Sequence, residues 1–200
     1  MFARRETFNQ FIKMYPVVTT ILTINTLLFL AVHMPFFSGD ALLEKLIGVN
    51  LYIKEGQLWR LATPLFLHSA FTHFVFNTFT LLIFGPAIEQ MLRPIRFSLF
   101  YLACGIGANI IVYLCKPLTY SHLGASGAIF GFLGFYLYLV IFKAHILSRQ
   151  DAQMIKVMTA IAFIMSLIQP NINILAHVSG FAIGFLTASF FIRKETYPLF

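Results

Sequence analysis

Charge is what this sequence has least of. Asp, Glu, Lys and Arg make up 10% of its 200 residues, where a soluble domain carries about 25%. Hydrophobic residues make up 59%. That composition excludes an ordinary soluble enzyme, and one integral membrane domain fits better than the one or two soluble domains that length alone would allow. Twenty-four phenylalanines exceed what so small a core can hide, but they can face lipid. Cysteine is scarce as well. Cys104 and Cys115 fall in one predicted helix, about 16 Å apart and too far for a disulfide. Both read as apolar filler. Repeats, linkers and low-complexity tracts are absent.

Missing patterns exclude several chemistries. The net charge of +7 comes without a basic stripe and interleaved aromatics, so no nucleic-acid partner is expected. The basic residues cluster in short groups between apolar runs, as the positive-inside pattern requires. No His is followed by Glu, so the H-E-x-x-H metalloprotease motif is absent. No Asp lies inside an apolar run, which removes an aspartyl intramembrane protease. A zinc site on His68, His73 and His177 would leave Ser126 and its flanking glycines unexplained. No metal and no organic cofactor is implied.

What is present is six apolar runs, at about 17–36, 69–88, 97–114, 126–142, 152–168 and 174–192. They predict an all-α, polytopic protein, a single integral-membrane domain over residues 1–200, in contact with the lipid bilayer. The fifth run is the weakest. Arg4, Arg5 and Lys13 precede the first run, as in a signal peptide. That run is long and no A-x-A site follows, so an uncleaved membrane helix is expected. The segment Ser38 to Leu67 is mixed, and Ala41 to Ile53 reads as one short amphipathic helix lying in the interface. Trp59, the sole tryptophan, reads as a headgroup-level anchor. Ten of the 14 basic residues fall on the side of the two termini. Both termini are therefore expected in the cytoplasm.

The sequence is organised around Gly124-Ala125-Ser126-Gly127, where a polar, Pro-broken stretch meets a long run without charge. Glycines leave the serine open to approach, and a helix starting here would offer free N–H groups beside it. The same pattern is an ordinary helix start, because serine is a favoured N-cap. Ser126 lies 17 residues before Lys143, His177 lies 16 before Arg193, and Asn77 lies 16 before Arg93. Each is thus about 24–25 Å above its cytoplasmic charge. His73 lies one turn above Asn77 on the same face. Intramembrane polar groups are costly and face an interior or a wet cavity, although each alone could simply bond a neighbouring helix. Gly127 and Gly131, and Ala176, Gly180, Gly184 and Ala188, form small faces that let helices approach closely. If those faces meet, Ser126 and His177 become neighbours. A serine needs a base to become a nucleophile, and His177 can be that base. The Ser126 N–H, His73 and Asn77 are candidate oxyanion donors. No Asp or Glu lies at this depth, so a Ser–His dyad is the economical reading.

In ordered combination the motifs resemble the rhomboid family of intramembrane serine proteases. They are Trp59-Arg60, His68, His73-x-x-x-Asn77, Gly85-x-x-x-Glu89, Gly124-Ala125-Ser126-Gly127 and Ala176-His177-x-x-Gly180-x-x-x-Gly184. The resemblance covers nearly the whole chain. It implies a six-transmembrane-helix bundle with a Ser126 nucleophile, a His177 base, and His73 and Asn77 on the oxyanion. It also implies a first loop around Trp59-Arg60 embedded in the outer leaflet, and a cytoplasmic side braced by Glu89. Substrates would be membrane proteins cut in or near a transmembrane segment, at a site opening toward the outer face of a cell membrane. The oligomeric state is left open. Three positions depart from the family pattern. Phe130 stands where many members have a tyrosine stacked on the catalytic histidine, and a phenyl ring can still stack. Pro86 and Arg93 replace frequent glycines. A catalytically inactive relative that binds membrane segments is the alternative, but it would have lost the serine or the histidine. A polar transporter would more often show an inverted repeat or a charged pathway.

The charge bias predicts labelling. In a background lacking Cys104 and Cys115, cysteines at residues 3 or 198 should resist an impermeant maleimide in intact cells, and cysteines at residues 40 or 119 should react. The reverse pattern would overturn the orientation.

Overall fold

A computed structural model describes residues 2, 6–35, 38–169 and 172–192. The end of the first expected span at Phe36 lies outside the described residues. So do Arg4, Arg5, Arg193 and Lys194. The elements run α1 (Phe8–Met14), α2 (Pro16–His33), α3 (Gly39–Leu46), β1 (Gly48–Val49) and α4 (Asn50–Lys54). Two 3-10 turns, Leu58–Leu61 and Thr63–Phe66, lead to α5 (Phe71–Leu92) and α6 (Pro94–Cys115). Then come β2 (Ser121–His122), α7 (Ser126–Phe142), α8 (Arg149–Ile168) and α9 (Ile174–Phe191). Among the described residues, α2, α5, α6, α8 and α9 are long and apolar enough to cross a membrane. The chain is an all-α, multi-pass membrane protein.

Local chemistry sets the helix ends. Pro16 and Pro94 occupy first turns, where their missing N–H is no loss. Ser148 caps α8 by accepting from the Asp151 N–H, and Asn173 caps α9 by accepting from the Ala176 N–H. The remaining helix is α7. Its 17 residues span about 25 Å, less than a hydrocarbon core of about 30 Å. It is also the centre of the bundle: Gly127 to Tyr136 is buried without a break. The small faces of α7 and α9 do meet. A Cβ on Gly180 would run into the Gly127 carbonyl, and one on Gly184 into the Gly131 carbonyl. On the α6 side a Cβ on Gly131 would strike Cys104. Against α5, the Tyr136 hydroxyl donates to the Phe84 carbonyl at 2.6 Å. By contrast α8 buries only Asp151, Ile155, Thr159 and Ser166.

The segment expected as one amphipathic helix over Ala41–Ile53 is broken. α3 stops at Leu46 and α4 starts at Asn50, with β1 between them. The cause is long-range pairing that a local pattern does not report. β1 pairs antiparallel with β2, Gly48 opposite His122 and Val49 opposite Ser121. Asn50 extends the link, its N–H donating to the Tyr120 carbonyl and its side-chain amide to the Lys116 and Pro117 carbonyls. Gly48 is needed because the His122 ring lies where a Cβ would be.

The end of α3 leaves orphan carbonyls, and the next turn takes them up. Arg60 donates to the Glu44 and Ile47 carbonyls at 2.7 and 2.6 Å. Trp59 Nε1 donates to Lys45 O, and the Thr63 hydroxyl to Leu46 O. Arg60 is 5% exposed, with Gln57 Oε1 as a third acceptor and the Tyr52 ring 4.8 Å away. A buried cation needs such partners, and the negative end of a helix is a favourable one. Trp59 is 54% exposed, so its ring meets the surroundings while its N–H is held.

At the other end of the bundle Glu89 does for α2 what α2 cannot do for itself. Tyr15 at the N-cap makes no side-chain cap bond. The Glu89 carboxylate instead accepts from the Val17 and Val18 N–H groups at 2.9 and 2.8 Å. It is 1% exposed and sits at the positive end of the helix dipole.

Between α5 and α6, Arg93 has φ 68° and ψ 158°, a region essentially confined to glycine. Such a residue costs of the order of 1–3 kcal/mol. Arg93→Gly should relieve that strain, offset by about 0.5–1 kcal/mol of unfolded-chain entropy. A raised melting temperature in detergent is expected, and a lowered one would refute the strain.

Candidate active site

Gly124 has φ 122°, a conformation that L side chains rarely adopt. A Cβ there would also strike the His73 ring. Its N–H donates to the Pro64 carbonyl at 2.8 Å, tying the start of α7 to the first loop. Ala125, not Ser126, takes the N-cap position, and no side-chain cap bond is made. The structure therefore sets aside the capping role open to Ser126. The serine becomes the first residue of the helix with its hydroxyl unspent. The Ile129 N–H is the first to reach back, to Ala125 O. The N–H groups of Ala125, Ser126, Gly127 and Ala128 thus have no partner within this helix.

His177 is 5% exposed and stands one turn before Gly180, where α7 and α9 touch. Phe130 stacks on its ring, with centroids 4.1 Å apart and planes within 13°. Its Nδ1 lies 2.8 Å from Ser166 Oγ on α8, a partner that the depth argument did not single out. The signal was faint, a serine in the weakest apolar run. Among the described residues no hydrogen bond joins Ser126 Oγ to His177. The Asn77 side chain is 6% exposed, and its amide nitrogen is buried without a partner. An orphaned buried donor of this kind asks for an explanation.

Ser126, His177, His73, Asn77, Phe130 and Ser166 all line one cleft of about 770 Å³. Gly124, Gly127, Gly131, Gly180 and Gly184 set the backbone approach behind it. Trp59, Arg60 and Glu89 lie elsewhere in the fold, as the caps described above. Apolar side chains of α5 and α8 form two facing walls, including Phe76, Phe79, Ile161 and Met165. Those four are 40–58% exposed on the outside of the bundle, so the cleft rim meets the apolar surroundings of the helices.

The loop histidines near the cleft are neutral. Burial, and then the charge of His73, pull the His68 imidazole down to about 3. Burial alone pulls His122 down to about 4. Neither ring carries charge at pH 7.

A family model described as "Rhomboid domain" matches residues 55–194. The chain is 43% identical over 195 residues to "Putative rhomboid protease YdcA" of Bacillus subtilis (strain 168), covering 98% of each chain. It is 35% identical over 174 residues to "Rhomboid protease GluP" of the same organism, covering 82% of this chain and 34% of that one. With "RHOMBOID-like protein 1" of Arabidopsis thaliana it shares 30% over 161 residues, 79% of this chain and 41% of the relative. It thus spans nearly all of YdcA but well under half of GluP and the Arabidopsis protein.

The α7–α9 contact gives a graded expectation. In Gly180→Ala the new methyl meets backbone, which cannot step aside, and overpacking costs about 1–3 kcal/mol. In Gly107→Ala it meets only the end of the Ile183 side chain. Melting temperature in detergent should drop clearly for the first variant and little for the second. Equal effects would argue against the close contact.

Proposed function

The chain belongs to the rhomboid family, and we propose that it is an intramembrane serine endopeptidase that cuts transmembrane segments of membrane proteins. One observation carries the reading. An unspent serine hydroxyl, a stacked histidine and an orphaned amide donor line one cleft between membrane-spanning helices.

In this mechanism Ser126 Oγ attacks the scissile carbonyl and His177 Nε2 takes its proton. The tetrahedral oxyanion is held by the Ser126 N–H, the His73 ring and the Asn77 amide. His177 then returns the proton to the leaving amine, and water repeats the sequence on the acyl-enzyme. A helical substrate ties up its own carbonyls, so the segment must be extended at the cut. The apolar walls of α5 and α8 suit side chains arriving from lipid. The whole chain acts as one catalytic domain. By the basic-residue bias both termini are cytoplasmic and the site opens toward the outer face of the cell membrane. The Trp59-Arg60 loop rests in the outer leaflet.

A labelled fluorophosphonate tests the reading. Wild type should react, and Ser126→Ala should not. Ser126→Ala and His177→Ala should each abolish cleavage, with the double variant no worse, because residues acting as a unit are non-additive. Asn77→Ala should lower kcat, toward the roughly 10²–10³-fold seen for a lost oxyanion donor, with KM nearly unchanged. Substantial turnover by Ser126→Ala would sink the mechanism. Absent labelling of folded wild type would favour a non-catalytic binder. Unchanged kcat with lost thermal stability in Asn77→Ala would remove Asn77 from the site.

A further inference from the structure

Ser166 makes two close contacts with one hydroxyl hydrogen. Its Oγ lies 2.7 Å from the Ala162 carbonyl, one turn back on α8, and 2.8 Å from His177 Nδ1 on α9. A carbonyl oxygen can only accept, so the hydroxyl hydrogen belongs on the Ala162 side. Were it turned toward the ring, two oxygens would face each other at 2.7 Å with no hydrogen between them. The oxygen of Ser166 is then left to accept, and His177 Nδ1 must donate. A neutral imidazole that donates from Nδ1 carries its lone pair on Nε2.

We propose that Ser166 is a positioning residue for His177. It fixes the Nδ1–H tautomer, directs the basic Nε2 toward the nucleophile and supports the imidazolium once formed. The proposal rests on the reading of Ser126 and His177 as the reacting pair. Ser166 then fills the place that a carboxylate takes in a Ser-His-Asp triad. Three further observations support the assignment. Ser166 is 5% exposed and lines the same cleft as both partners. Phe130 covers a ring face of His177, and stacking leaves in-plane rotation and tautomer undetermined, so the Nδ1 bond is what sets them. Finally, Ser166 is one of four buried residues on α8, the helix that walls the cleft opposite α5. The orienter of the base thus comes from a different helix than the base or the nucleophile. A movement of α8 away from α9 would release the ring.

Two measurements test this. The first uses ¹⁵N NMR on resting protein with labelled histidine, with the His177 signal assigned by its loss in His177→Ala. Wild type should show the Nδ1–H tautomer, and Ser166→Ala should show a mixture or the other form. That readout needs no turnover, so it separates failure of this proposal from failure of the protease reading, which the fluorophosphonate decides. The second is kinetic. Ser166→Ala removes one neutral hydrogen bond, so kcat should fall about tenfold, with KM and melting temperature little changed. Ser166→Thr keeps the hydroxyl and should restore kcat to within about threefold of wild type. An unchanged tautomer or unchanged kcat in Ser166→Ala would overturn the proposal. So would a kcat loss that follows melting temperature and is not rescued by threonine.

Discussion

Two pairs of glycines in contact hold this molecule's chemistry together. Gly127 meets Gly180 and Gly131 meets Gly184, backbone against backbone. Lipid tails are as apolar as leucine, so membrane helices gain nothing by hiding from water and must earn association from close packing. Side chains larger than hydrogen at these positions would separate α7 from α9. Ser126 immediately precedes the first glycine pair and His177 stands one turn before it. Their separation is therefore set by the contact itself. A misplacement of about 1 Å can cost about 10²-fold in rate. Phe130 lies between Gly127 and Gly131 in sequence and stacks on the histidine, so the same stretch that brings the ring close also flattens it against a wall.

The contact fixes the helices but not the start of α7. That position is held by the first loop. Arg60, Trp59 and Thr63 take up the carbonyls at the end of α3, which orients the strand that follows. That strand pairs with Ser121–His122, a few residues before the serine, and Pro64 receives the Gly124 N–H. Hydrogen bonds thus tie the loop that holds a buried arginine both to the strand pair and to Gly124, two residues before Ser126. Arg60 acts at a distance as a cap, and this explains why a buried cation can sit there with neutral acceptors only.

Much of this was legible in the sequence, for a physical reason. Polar residues stand out against apolar runs, so Ser126, His177, His73 and Asn77 could be placed at one depth by counting residues of helix, and they line one cleft. Small-residue faces could be read for the same reason. Three features were not legible. The break after Leu46 depends on pairing with residues over seventy positions away, while the local pattern looked helical throughout. Arg93 could be seen to replace a glycine, but its positive φ is a property of the turn between α5 and α6. Ser166 was passed over because a serine in a helix ordinarily spends its hydroxyl on the carbonyl one turn back. It does so here, and what no pattern reveals is that its lone pair then faces a histidine on another helix.

That double use bears on why, among the described residues, no acid stands beside His177. A carboxylate inside the hydrocarbon region is expensive to keep ionised, and its charge would need further partners. Glu89 is buried in the bundle only where a helix N-terminus supplies two N–H donors. Among the described residues no comparable donor pair lies beside His177, whose partners there are a phenyl face and one hydroxyl. A hydroxyl with its hydrogen already placed on its own helix adds no charge and leaves nothing unsatisfied. It would support an imidazolium more weakly than a carboxylate, and in the proposed mechanism the oxyanion donors are the groups that can offset the difference. In the proposed mechanism the unpartnered Asn77 amide and the orphan N–H groups of α7 would supply that capacity, without placing a second charge in the membrane.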